Sequence, residues 1–193
     1  GTVSVVDTRS LEIREKSTPY IPSFGGSIEL NDDASRAYVA AREGNSLVSL
    51  RVGAGDGASP AGGSLYCLDD DGVPTSNPEN CTLQKVSTGD GEASLATDPF
   101  DVSVTTLRRT QPNSGDEIPI DVVSLAYLGS NQVSTIVLPN RSLSNASLQS
   151  AAVVAGGNAI TRRPGTLSYY VASRTSNVVA RFSPFVNFSE NGS

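Results

Sequence analysis

The sequence predicts an all-β chain built from repeated antiparallel sheets of four strands each. Three observations predict it. Residues 36–52 (RAYVAAREGNSLVSLRV) read as two strands around a tight turn: Tyr38 and Val39 are strand formers, Gly44 and Asn45 tolerate positive φ, and Val48, Leu50 and Val52 alternate on one face. The pattern returns at 170–181 (YVASRTSNVVAR), more weakly at 124–135 (SLAYLGSNQVST), and the opening residues 1–7 match its second strand alone. No stretch shows helical periodicity, and a hydrophobic content of 37% suits a packed β core better than a helical one.

Gly1, Asn45, Asn131 and Asn177 are equivalent turn positions, at spacings of 44, 86 and 46 residues. Two of these approach the period of about 40–45 residues for a four-stranded propeller blade, and the third is nearly twice it. A β-propeller with inserted loops accounts for this; a generic antiparallel sandwich with similar hairpins is the alternative. The YVA…N-x-V pattern resembles the YVTN family of β-propeller repeats of bacterial surface-layer and lactonase-like propellers. The likeness covers most of the chain at low identity, and the motif's fourth-position Asn is Ala41 in one copy and Ser173 in another.

In chain order, residues 2–7 are expected as a third blade strand and 11–17 as its outer strand. A Pro/Gly connection, 18–26, leads to an inner strand at 27–30, and the turn 31–35 leads into the pair already described. Residues 53–80 form a first insertion, rich in Gly, Pro, Ser and Asp. Residues 81–87 read as the delayed outer strand, 93–104 as containing the next inner strand, and 105–119 (TTLRRTQPNSGDEIP) as a second, loop-like insertion. Strands follow at 120–128, 132–138 and 148–154, then at 158–161, 167–172 and 177–182. The tail, 185–193, is at best a frayed fourth strand. This makes a single domain over 1–193, holding an incomplete set of about 3–4 blades by the repeat period. With no Met and no signal peptide, it reads as a processed form or a fragment.

Cys67 and Cys81 bracket the second half of the first insertion and permit one disulfide, which implies an oxidising, extracytoplasmic setting. Free thiols, or a pair completing a metal site with outside ligands, are the alternatives. Asp69 and Asp71, in the run DDDG, invite a Ca²⁺ reading. The D-x-D-x-D-G spacing would require an acid at Cys67, and no closing Glu follows, so a solvated acidic turn is preferred.

A net charge of −6 argues against a general nucleic-acid binder. The absence of His excludes a Ser-His-Asp or Cys-His site made from this chain alone. No apolar run is long enough for a membrane span, and no cofactor motif is present. Two Arg pairs, Arg108-Arg109 and Arg162-Arg163, are placed in loops between inner and second strands. On a propeller these share one face with the first insertion, where they are suited to carboxylate or phosphate groups. Sequons begin at Asn80, Asn140, Asn145, Asn187 and Asn191.

The leading expectation is a non-enzymatic binding or scaffold module that presents these loops to a protein or glycan, or to further blades of the same or another chain. The resemblance also implies an alternative, a lactonase-like hydrolase or quinoprotein dehydrogenase with a central site. For such a site the inner strands offer only Glu29, Asp98 and Asp101. A structural subunit of a multi-chain surface assembly is a third reading.

Overall fold

The computed structural model describes residues 1–13, 21–53, 64–68, 73–88, 90–111 and 114–186. Every sheet among them is antiparallel, and the sheets do not close on themselves. The first contains β1 (Gly25–Leu30), β2 (Arg36–Ala41) and β3 (Ser46–Val52), paired in that order. Beyond β3 the fourth position is shared. β4 (Leu65–Leu68) pairs with Arg51 and Val52, whereas β6 (Thr82–Leu83) pairs with Leu47 and Val48. Between them, β5 (Pro74–Thr75) folds back on β4, and a short 3₁₀ turn (Pro78–Cys81) leads into β6.

The Cys67–Cys81 disulfide joins the two halves of that divided strand, with Cα atoms 5.3 Å apart. The first insertion is therefore partly strand, since Leu65–Leu68 lies within it. The expected outer strand 81–87 is also corrected. After Leu83 the chain leaves the sheet, and β7 (Lys85–Thr88) forms a separate hairpin with β8 (Gly91–Ser94). Of the opening segment, Val6 and Ile13 meet in an isolated antiparallel bridge.

The second sheet is regular, in the order β9 (Pro99–Thr110), β10 (Glu117–Tyr127), β11 (Gln132–Pro139) and β12 (Ser147–Ala152). This overturns the loop expected at 105–119. Thr105–Thr110 continue β9, Glu117–Pro119 begin β10, and the two pair up to Thr110 opposite Glu117. β-Branched Thr105, Thr106 and Thr110 and the Leu107–Ile120 pair favour that pleated ribbon. Pro119 lies one residue past the last β10–β11 pair, Ile120–Pro139, an edge position where proline is tolerated. Residues 108–111 and 114–119 thus project past the end of β11 as a two-stranded ribbon. The third sheet is β13 (Gly157–Arg162), β14 (Tyr169–Ser173) and β15 (Val179–Phe182).

The three sheets stack face to face in chain order. Tyr38, Ala40 and Leu47 of the first join Val102, Val104, Leu125 and Ile136 of the second in one apolar cluster. Ala126 and Val133 of the second join Ile160, Tyr169 and Val171 of the third. Small residues let the backbones approach. A Cβ on Gly26 would lie 2.1 Å from the Phe100 carbonyl oxygen, so β1 can pass β9 here only as glycine. The repeated turns match their composition in two cases: Asn45 and Asn177 sit at φ of 45° and 50°, which Asn tolerates.

Candidate functional site

Along β1, β9 and β13, side chains satisfy backbone groups that no strand partner reaches. Val102 N–H donates to Ser27 Oγ at 2.9 Å and Val104 N–H to Glu29 Oε2 at 3.0 Å. Ile160 N–H donates to Asp101 Oδ2 at 2.8 Å. Burial pushes the Glu29 carboxyl up, the Val104 N–H opposes that shift, and the Asp101 charge adds to it. At the other end of these strands, Asp98 binds Arg42 through both oxygens, at 2.5 and 3.1 Å, and its N–H donates to Asn45 Oδ1 at 2.9 Å. The three acids that the inner strands offer for a central catalytic site are thus engaged as acceptors.

The densest polar cluster lies where the turns after β1 and β11 meet Thr105 and Thr106 of β9 and the end of β13. At its centre is Asp121 on β10, with none of its surface exposed. It accepts from Tyr38 Oη at 2.7 Å, Asn31 Nδ2 at 3.0 Å and Thr106 Oγ1 at 2.8 Å. Arg141 Nε stands 3.5 Å from the same carboxylate, within ion-pair range but too far for a good hydrogen bond. Burial, reinforced by the Asp121 charge and hydrogen bond, pushes the Tyr38 phenol well above its usual range.

Arg141 also pairs with Asp33. Asp32 joins all three sheets. It accepts from Thr106 N–H at 2.9 Å and Thr105 Oγ1 at 3.2 Å, and Arg162 Nη2 lies 3.3 Å from its other oxygen.

Asp33 supplies a pH prediction. Partial burial alone would raise its pKa, but hydrogen bonds from Ser35 and Arg141 outweigh that and hold it at about 2, below the ordinary 3.8. A depressed carboxylate contributes stability that is complete above the unfolded pKa and is lost as pH falls through the folded one. Stability should therefore decline from about pH 4 to about pH 2, and Asp33→Asn should flatten that decline. Urea midpoints measured across this window check it. Equal slopes in both proteins would refute the assignment.

The predicted arginines are not gathered into one cradle. Arg108 and Arg109 lie in β9, not in a loop, and Arg162 is the last residue of β13. Arg108 pairs across the projecting ribbon with Glu117 at 3.2 Å, and both side chains are largely exposed. Arg109 lies opposite Ile118, Arg162 is held by Asp32, and Arg163 is exposed at the following turn. Asp69 and Asp71 lie outside the described residues, as do Asn187 and Asn191. Asn80, Asn140 and Asn145 are exposed.

Among the described residues, no group of three His, Cys, Asp or Glu side chains could hold a metal ion. A groove lined by Thr135, Gln149, Phe182 and Phe185 measures about 120 Å³. That is well under the roughly 300 Å³ at which small-molecule pockets begin.

Sequence reasoning missed Asp121, Arg141 and Asn31. One signal was visible: Asp121 interrupts the apolar run Ile120–Val123, and a charge inside a buried strand implies built-in partners. No protein-family model matches the chain, and no curated protein matches it.

Proposed function

We propose that this chain is part of a β-propeller, with each main sheet a blade, that acts as a non-enzymatic binding or scaffold module outside the cytoplasm. Its partner surface is the end carrying the β9–β10 ribbon and the β13–β14 turn, and it receives a protein or glycan. The observation that carries this reading is the ribbon itself. Residues 108–111 and 114–119 extend past the strand beside them and place Arg108 and Glu117 in solvent, and Arg163 is exposed in the β13–β14 turn. A sheet that served only to pack would gain nothing from that extension.

Two further facts support it. The disulfide is of the kind that persists in oxidising compartments. The acids of the inner strands are engaged in holding backbone N–H groups, which weighs against a hydrolase or dehydrogenase site built on them. No helix of the described residues is long and apolar enough to cross a membrane. The likeness to YVTN repeats rests on the sequence motif and on the in-order stacking of equivalent sheets.

The test is a binding screen against defined soluble glycans, run beside a lactone-hydrolysis assay. The Arg108→Ala/Arg163→Ala pair is expected to cost under about 0.5 kcal/mol of stability, as exposed substitutions do, while weakening whatever binding the screen finds. Lactone turnover by the unaltered protein, or binding indifferent to both arginines, would overturn the reading.

A further inference from the structure

The face that the first sheet turns toward the second ends in arginines. Arg36 of β2 and Arg51 of β3 lie directly opposite each other, and Tyr66 of β4 is the next residue across. They share the side of the sheet that carries Tyr38 and Leu47, since Arg36 is two residues from Tyr38 and Arg51 four from Leu47. Directly opposite residues have Cβ atoms about 4.5–5.5 Å apart, and like charges so placed destabilise a sheet. Among the described residues, neither guanidinium has an acidic partner or donates a hydrogen bond.

Arg141 adds a third charge from the facing sheet. Its Nε stands 3.5 Å from Asp121, the acceptor of Tyr38. Asn31 links the same carboxylate to Arg36, taking the Arg36 N–H on Oδ1 and donating to Asp121 through Nδ2. Three guanidinium groups therefore meet two carboxylates, and both carboxylates are already engaged. Asp121 accepts from Tyr38, Asn31 and Thr106, and Asp33 from Ser35 and Arg141. Burial pushes the Arg36 guanidinium below its usual range; Tyr38 opposes this, and the Arg51 and Arg141 charges push it further down. One positive charge and the donors of Arg36 and Arg51 are left over, on a chain whose net charge is −6.

Tyr66 completes the strip. It is 36% exposed, and its ring covers Gly53, where a Cβ would lie 2.8 Å from Cε2. Glycine at 53 leaves the ring its place beside Arg51. Asp32 and Asp33 tie the turn before Arg36 to Thr106 and Arg141, so the strip opens at the ribbon's end of the molecule.

We propose that Arg36, Arg51 and Tyr66, with Arg141 behind them, form a site for an acidic glycan, its oxyanion held by the paired guanidiniums and its sugar ring set against Tyr66. The arginine fork suits a carboxylate or a sulfate, and a tyrosine ring presents an apolar body with a polar tip. That aromatic neighbour favours a sugar over an acidic peptide, which would need the arginines alone. The site rests on the partner-surface reading above and names the ligand class for the same end, but it uses none of the ribbon's residues.

Isothermal titration calorimetry with three tetrasaccharides tests it: one of uronic acid units, one sulfated and one neutral. The acidic sugars should bind and the neutral one should not, with affinity falling as salt rises. The tighter of the two acidic sugars identifies the oxyanion. Arg51→Glu should weaken that binding by about tenfold or more, the size of one charge-assisted hydrogen bond. The same variant should raise the urea midpoint, because the cross-strand pair turns from like to opposite charges. An arginine kept only for structure would not give up binding while its loss stabilised the sheet. Tyr66→Leu should weaken binding of both acidic sugars. Equal binding of the neutral sugar, or binding indifferent to Arg51→Glu, would overturn the site. Tighter binding of an oligoglutamate than of either acidic sugar would overturn the glycan in favour of a protein partner. Acidic-sugar binding that Arg108→Ala/Arg163→Ala abolishes and Arg51→Glu leaves intact would overturn this site and keep the ribbon reading. Absence of binding by both acidic sugars would also overturn it, while the wider screen still decides the ribbon reading.

Discussion

Asp121→Ala should lower unfolding stability by about 3–5 kcal/mol, the cost of removing one side of a buried charged network. The side chain it removes has no solvent exposure and serves Tyr38, Asn31 and Thr106 together. Tyr38 and Asn31 are buried and cannot turn to water, so each would carry an unmet desolvation cost. Arg141 would keep only Asp33 as its acidic partner. Asp121→Asn keeps the shape and one acceptor oxygen but loses the charge, and should cost about 2 kcal/mol, the scale of a hydrogen bond to a charged group. Domains of ordinary stability have about 5–15 kcal/mol in total, so the alanine variant should show a large fall in urea midpoint, read by circular dichroism. A loss under about 1 kcal/mol would mean the network relaxes and does not hold the first two sheets together.

Reducing the Cys67–Cys81 disulfide, or replacing both residues with Ser, should cost about 3 kcal/mol. The bond closes a loop of 14 residues' separation. The chain-entropy account assigns the effect to the unfolded state, which regains the freedom the closed loop had removed. The native side also suffers. β4 and β6 are each tied to β3 by two residue pairs, and the disulfide is the covalent link between them. For a chain of this length the melting temperature should fall by about 6–12 °C. Calorimetry with and without a dithiol reductant decides it. An unchanged melting temperature would show that the divided strand holds without its link.

Much of the architecture was legible because the repeats carry local chemistry. The strand–turn–strand units at β2–β3, β10–β11 and β14–β15 were marked by alternation and by Asn or Gly at the turn, and they pair as read. Residues 105–119 misled because Pro, Asn, Ser, Gly and Asp suggest loop, whereas the pairing of Leu107 with Ile120 across a long ribbon is not a local signal. The divided outer strand was hidden for the same reason, since strands of two and four residues carry too little periodicity to be read. Of the candidate site, the arginines were visible as charges. Their partners Asp32 and Glu117 depend on which turns meet in space. Asp121 needed only one question asked of the sequence: why an acid stands among Ile120, Val122 and Val123.

The side-chain rungs at Val102, Val104 and Ile160 have a consequence for behaviour in a crowded compartment. An open strand margin is a template on which stray extended chains can polymerise. Ser27, Glu29 and Asp101 occupy the amide hydrogens that such a chain would need on β9 and β13. Hydroxyl and carboxylate groups cannot propagate a cross-β ladder, so these two margins are insulated against fibril seeding by the same contacts that set the spacing between the sheets.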